Sequence, residues 1–415
     1  MTGSQNQPGE FDAIRGGDAP PLLGAVLGGV EGVKQRLASS DVEMRVSALS
    51  RALSYGDAGL NLVIKALDDN SAKVRKAAVR LLKDIDNSQV KAALKEYKFW
   101  TTFEKYYDIP DNHATTFANW KVIEFDPVIG ISDTIDTAYA LRTVPGEDYY
   151  TKLQILLQSP KANQVEALVF GFWYTTYFEC YNFCSAIDAL LRASEQLTNV
   201  KALFFGDINN SGWGNIQLYY SNLSYILLAY PQLEVLKIRV NYYNQISHNY
   251  QLEFSAIQHE NLKVLIIEGY DISINIIKEI FQMELPRLEY LELWLDKRDN
   301  NTSYLNYDLY NKFPKLNYLG IHSCSNNSSS LSDIPFAIIN DSLIESLVEL
   351  DLSKGAIYDE AVKYWLNYCP AIHQLDTLNI SYNCVTDEMI ERMNQLNIQV
   401  IAEKQEPYRY WSACE

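Results

Sequence analysis

His322 and Cys324 stand two residues apart at the end of one apolar segment, and Glu292 and Asp351 occupy matching places in the segments on either side. A thiol, an imidazole and a carboxylate are the ingredients of nucleophilic catalysis, and the same atoms could hold a metal ion. The spacing argues against both uses, because His322 and Cys324 share one strand end with no fixed partner geometry. The histidines are His113, His248, His259, His322 and His373, and no HExxH, GxSxG, Walker A or GxGxxG pattern accompanies them. No catalytic residue, metal or cofactor is therefore expected, and the chain reads as non-enzymatic.

Cysteine usage and charge narrow the class. Cys180, Cys184, Cys324, Cys369, Cys384 and Cys414 lack the spacing of a disulfide framework, which points to a reduced, cytoplasmic protein. Cys180 and Cys184 form a C-x3-C pair without a second pair at zinc-finger distance, so they read as small core residues. The formal net charge of −17 repels nucleic acid and anionic lipid on average. No run of about 18 apolar residues is present, so no membrane span is expected. The opening residues lack a basic n-region and do not read as a signal peptide. One basic stretch stands out, "AKVRKAAVRLLK", with Lys73, Arg75, Lys76, Arg80 and Lys83. It could meet nucleic acid or an acidic protein. The expected reading is a solvated face on which Arg75 pairs with Asp68 or Asp69.

The elements that must position these residues are repeats. "SSDVEMRVSALSRAL" (39–53) aligns with "DNSAKVRKAAVRLL" (69–82), with Arg45 on Arg75 and Ala48 on Ala78. Each copy predicts a pair of short amphipathic helices, N-capped by an Asp/Asn/Ser turn, and "SQVKAALKEY" (88–97) reads as the second helix once more. Further on, an apolar-x-x-Leu-x-apolar pattern begins at Val165, Val200, Leu233, Leu262, Leu288, Leu316, Leu347 and Leu375. Helical segments such as 185–197, 274–283 and 359–368 lie between these strands. Strand–turn–helix at such a period predicts parallel strands side by side with helices behind them.

The first set, with its Asp41/Arg45 and Ser71/Arg75 elements, resembles HEAT-like repeats in the short bacterial form found in bilin lyase subunits. The second, in phrases such as "AYPQLEVLKIR" and "LPRLEYLELWL", resembles a little-characterised bacterial leucine-rich-repeat family. The Asn that usually follows the strand core in that fold is largely missing. These resemblances imply an α-solenoid followed by an α/β solenoid, with parallel strands on the concave face and helices on the convex face. The expected organisation is a flexible tail (1–22), HEAT-like repeats (23–97), a capping and joint region (98–160), the leucine-rich array (161–405) and a tail (406–415). A strand is expected at 120–126 and a helix at 148–158.

Side chains alternate faces along a strand. The first, fourth and sixth positions of each copy, such as Leu288, Leu291 and Leu293, should enter the core. The intervening positions should be displayed, which puts Tyr290, Glu292, Trp294, Tyr318, Lys237, Arg239, Glu268, His322 and Asp351 on one face. Large rings and Arg are favoured anchors at protein interfaces. The expected function is a scaffold or adaptor that binds a protein partner on that face. The alternatives are an accessory subunit of a prosthetic-group attachment enzyme, which the bilin-lyase-type resemblance implies, and nucleic-acid binding through the basic helix, which the net charge disfavours.

Overall fold

The chain divides into two units, residues 1–101 and 102–415. The computed structural model describes residues 29–98, 112–144, 146–172, 181–208, 216–217, 221–241, 252–270, 275–295, 309–323, 342–355 and 357–405. The N-terminal and C-terminal tails expected at 1–22 and 406–415 lie outside them.

The first unit is helical: α1 (Gly29–Leu37), α2 (Val42–Ala52), α3 (Gly56–Lys65), α4 (Ala72–Leu82) and α5 (Ser88–Tyr97). The Asp41 carboxylate accepts from the Glu43 amide and starts α2, and the Asn87 side chain does the same for α5 through Gln89 and Val90. Val33, Leu49, Ala52, Val63, Val74, Ala78, Leu82 and Val90 form the core between the helices.

The repeated arginine has a repeated task. Arg45 Nη1 donates to the carbonyls of Ser39 and Ser40, and Arg75 Nη1 to those of Asp69 and Asn70, so each closes the turn before its own helix. The Asp69 carboxylate takes two 3.0 Å bonds from Arg45 of the preceding copy. Arg75 meets Asp69 through that residue's backbone carbonyl, while the Asp69 carboxylate is taken by Arg45. Arg75 and Lys76 are buried, which leaves Lys73, Arg80 and Lys83 exposed, and Lys73 pairs with Glu43. Asp69→Ala should destabilise this unit by about 2 kcal/mol, since it removes a bidentate, charge-assisted partner from a partly buried arginine. Asp68→Ala, at an exposed position, should leave the unfolding midpoint in urea unchanged.

The second unit is a long, mostly parallel sheet with helices. With two-residue strands off it, the main path of the sheet runs through β1 (Thr116–Phe117), β2 (Trp120–Glu124), β3 (Thr137–Thr143), β4 (Ala167–Phe172), β5 (Ala202–Asp207), β6 (Val235–Asn241), β7 (Val264–Tyr270), β8 (Tyr290–Leu295), β9 (Tyr318–Ser323), β10 (Glu349–Asp351), β11 (Thr377–Asn379) and β12 (Gln399–Ile401). They lie in chain order, each parallel to the next except the β1–β2 pair. The crossovers carry α6 (Tyr149–Leu157), α7 (Cys184–Ala193), α8 (Ser224–Ala229), α9 (Asn275–Gln282), α10 (Leu309–Lys312), α11 (Asp359–Tyr368) and α12 (Asp387–Met393).

Ala167, Ala202, Val235, Val264, Tyr290, Tyr318, Glu349 and Thr377 are hydrogen-bond register partners in succession. The third position of every sequence copy is thus one row of the sheet. Leu288, Leu291 and Leu293 enter a continuous core with Ile276, Ile277, Ile280 and Phe281 of α9. β3 continues the rows upstream, with Ala138 opposite Ala167. The eight-copy pattern misses it because Asp136 replaces the apolar first residue and Tyr139 the leucine. The β2–β3 crossover is a loop pinned by the Tyr139 hydroxyl, which accepts from the Ser132 and Asp133 amides and donates to the Asp133 carbonyl.

At the other end the turn after each strand repeats. Lys354, Tyr382 and Lys404 hold equivalent places and all have positive φ (59°, 57° and 47°). Asn383 follows Tyr382 and is fully buried. Its amide donates to the carbonyls of Leu352, Ile380 and Ser381, and its oxygen accepts from the Ile357 amide. The preceding copy has Gly355 at that place, where a Cβ would stand 2.8 Å from Asn383 Oδ1. Asn383→Ala should cost about 1–3 kcal/mol, because buried backbone groups lose their partner; a fall in the urea midpoint would register it.

Candidate functional site

The nine expected face residues fall on β6 to β10, on the side of the sheet away from the helix-packed leucines. The rows bring Tyr290 beside Tyr318, Glu292 beside Gly320 and then Asp351, and Trp294 beside His322. The Tyr290 and Tyr318 rings stack with centroids 4.2 Å apart and planes 2° from parallel. Gly320 leaves the space they need: a Cβ there would lie 2.9 Å from the Tyr318 hydroxyl.

Two carboxylates organise this cluster. Glu292 accepts from the Tyr290 hydroxyl and, at 2.8 Å, from Trp294 Nε1. Asp351 accepts from the Tyr318 hydroxyl, Asn379 Nδ2 and the Ser353 amide at 3.0–3.1 Å. His322 lies between them, with Nε2 3.6 Å from Glu292 and Nδ1 3.9 Å from Asp351. The Lys354 ammonium stands 3.8 Å above the Trp294 ring, a cation–π contact. Burial pushes the Tyr290 and Tyr318 phenols well above their ordinary range, and the neighbouring carboxylates add to the shift, so both remain donors. Burial pulls the His322 pKa down with help from Lys354, against the opposing pull of Asp351 and Glu292.

A second cluster lies on β6 and β7. Glu268 binds Lys237 Nζ through one oxygen and Arg239 Nε through the other, each at 2.8 Å. Both cations lie over the Phe204 ring, 5.1 and 5.5 Å from its centroid. Burial alone would raise the Glu268 pKa; Arg239 and Lys237 outweigh it and hold the group at about 2. Phe117 of β1 packs on Phe204 with ring centroids 5.5 Å apart.

The expectation that these side chains are displayed is corrected. Tyr290, Tyr318 and Asp351 are 0% exposed, and Glu292, His322, Lys237, Arg239 and Glu268 are buried; Trp294 is half-buried. Alternation sends them to the opposite face, as read from the sequence. There Tyr318 and Asn379 reach Asp351, and Lys237 and Arg239 reach Glu268, across strands, while Tyr290 and Trp294 share Glu292 along their own strand.

Sequence reasoning missed a third cluster. Arg142 donates through Nε and Nη2 to Asp207 (2.8 and 2.6 Å), through Nη1 to Glu124, and through Nη2 to the Ala114 carbonyl. Arg142 and Asp207 are two strands apart. The register runs Arg142–Gly171–Asp207, and the bare Gly171 lets the guanidinium cross β4. The seventh sequence column holds Gly206 instead, but a bulge there (φ 101°) moves Asp207 into the row. A Gly-Asp pair at the end of a strand pattern is the signal that could have found it.

Among the residues read for chemistry, Cys180, Cys324, Cys414 and His248 lie outside the described residues. Cys369 is buried, and burial raises its thiol pKa. His259 is a structural residue: its Nδ1 accepts from the Asn261 and Leu262 amides while Nε2 meets the Tyr230 carbonyl. Among the described residues, no three His, Cys, Asp or Glu side chains are arranged to hold a metal ion, and no helix is long and apolar enough to cross a membrane.

No family model matches this chain, and a search of curated proteins finds no match. A search of solved structures finds similarity to a crystal structure of a Bacteroides fragilis protein, a Northeast Structural Genomics Consortium target. The two share 22% identity over 64% of this chain and 72% of that chain, with a TM-score of 0.48.

Proposed function

We propose that this chain is a non-enzymatic scaffold or adaptor, built as an α-solenoid of HEAT-like repeats followed by a leucine-rich-repeat α/β solenoid. Its partner is a protein, bound on the strand face around Trp294. The observation that carries this reading is the way Trp294 is held. Its indole is half-buried, its Nε1–H is fixed by Glu292, and the Lys354 ammonium lies on its ring. A large ring that is oriented in advance loses little entropy on binding, which is what makes Trp an effective interface anchor. The buried tyrosine–carboxylate rows beneath act as its support. The nucleic-acid reading loses two of its five basic side chains to burial.

Affinity capture from the native host, with wild type and Trp294→Ala as parallel baits and mass spectrometry as readout, tests this reading. A protein retained by wild type and lost by the variant is the expected result. Equal recovery by a folded Trp294→Ala bait would remove Trp294 as the anchor.

A further inference from the structure

Trp294 and His322 address the same atom. The indole Nε1–H donates to Glu292 Oε1 at 2.8 Å, and His322 Nε2 lies 3.6 Å from that oxygen, too far for a hydrogen bond. The other ring nitrogen, Nδ1, sits 3.0 Å from the Ser353 carbonyl and 3.3 Å from its hydroxyl. A carbonyl can only accept, so Nδ1 carries the proton of the neutral ring and Nε2 turns a lone pair towards a carboxylate. The charged and titratable groups around the imidazole come from every neighbouring strand. β8 gives Glu292 with the Tyr290 hydroxyl on it, and β9 gives Tyr318. β10 and its turn give Asp351 and Lys354, and the Asn379 amide of β11 holds Asp351. Burial keeps the ring neutral at neutral pH.

We propose that His322 makes the Trp294 anchor sensitive to protons: a proton taken from solvent by Nε2 turns that atom into a charged donor to Glu292 Oε1, which then releases the indole. This rests on the reading of Trp294 as the partner's anchor and assigns its regulation. One N–H bond forms and the remaining changes are exchanges of hydrogen bonds. Charge-assisted donation from imidazolium outcompetes the neutral indole N–H for the same oxygen. The new cation also stands 5.1 Å, ring to ring, from the indole that Lys354 already covers, and two like charges on one ring repel. The face therefore holds Trp294 fixed near neutrality and frees it once His322 is protonated at lower pH, a local charge change read out by an interface.

The test uses the full chain carrying 15N-tryptophan. The Trp294 indole N–H resonance, assigned by its loss in Trp294→Phe, is followed from about pH 8 down through the ordinary histidine range and below it, to the lowest pH at which the chain stays folded, because burial lowers the His322 pKa. The expected result is one titration towards a weaker hydrogen bond in wild type and a flat line in His322→Asn, whose amide can still donate to the Ser353 carbonyl. An invariant resonance in folded wild type, or an equal titration in His322→Asn, would overturn the proposal. Should His322→Asn fail to fold, Glu292→Gln takes its place. It keeps an acceptor for the indole but no charge to attract an imidazolium, so a titration that persists there would equally overturn it. These readouts involve no partner, so this proposal and the anchor role of Trp294 can fail separately.

Discussion

Glu268→Leu should destabilise the sheet unit by about 3–5 kcal/mol, the usual cost of removing one side of a buried ion pair. The reason is the sharing of one buried carboxylate by two buried cations, Lys237 and Arg239, each 2.8 Å from it. Equilibrium urea unfolding of the full chain, followed in the sheet unit, measures the loss. The pH dependence gives a second signature. Glu268 is depressed from 4.5 to about 2 in the folded state. The unfolded chain therefore binds more protons in that window, and the contribution of Glu268 is complete above pH 4.5 and disappears as the pH falls towards 2. The gap between wild type and Glu268→Leu should close over that interval. A gap that stays constant would mean the ion pairs contribute nothing and the loss is one of packing. His322 acts in the same direction at higher pH: its lowered folded value makes stability fall once the pH drops below 6.5.

Tyr290→Ala should cost a similar 3–5 kcal/mol, as truncation of a fully buried ring does. The loss has two parts. The stacked face of Tyr318 is left against a cavity, and Glu292 loses a hydroxyl donor. Tyr290→Phe separates them: it keeps the ring and should cost about 1–3 kcal/mol, the penalty for an unsatisfied buried acceptor. Equal destabilisation by the two variants would show that the hydroxyl, not the stack, matters. Tyr290 is thus a poor test of partner binding, since its truncation disturbs the fold that presents Trp294.

Much of the sheet is legible in the sequence because one spacing rule is obeyed copy after copy. Leu288, Leu291 and Leu293 announce the buried side, and the rows predicted by aligning copies are the rows that hydrogen-bond. Legibility ends where side chains from different strands meet. Tyr290 and Glu292 read as exposed because alternation reports direction and not what a neighbouring strand supplies. Arg142 and Asp207 stayed invisible because their meeting depends on an absence, the missing side chain of Gly171, and on a bulge that shifts the column by one. Arg75 reads as surface charge although it is buried and holds the Asp69 and Asn70 carbonyls, and no residue type advertises a backbone acceptor.

The crossing of β4 by the Arg142 guanidinium also bears on how such a chain can lengthen. A block of sequence inserted or lost between β3 and β5 would move Asp207 out of reach and strand a buried charge on each side. Among the described residues after β10, the side-chain bonds of Asn379 and Asn383 reach the neighbouring strand, to Asp351 and to the Leu352 carbonyl. There the left-handed turn and the row pairing recur 28 residues on, from Lys354 to Tyr382. Tandem duplication of that block would hand each new copy a complete set of neighbours. Growth by gene duplication is thus open towards the C-terminal end and closed at the start, so related chains should differ in copy number near β10–β12 while keeping the β3–β5 spacing fixed.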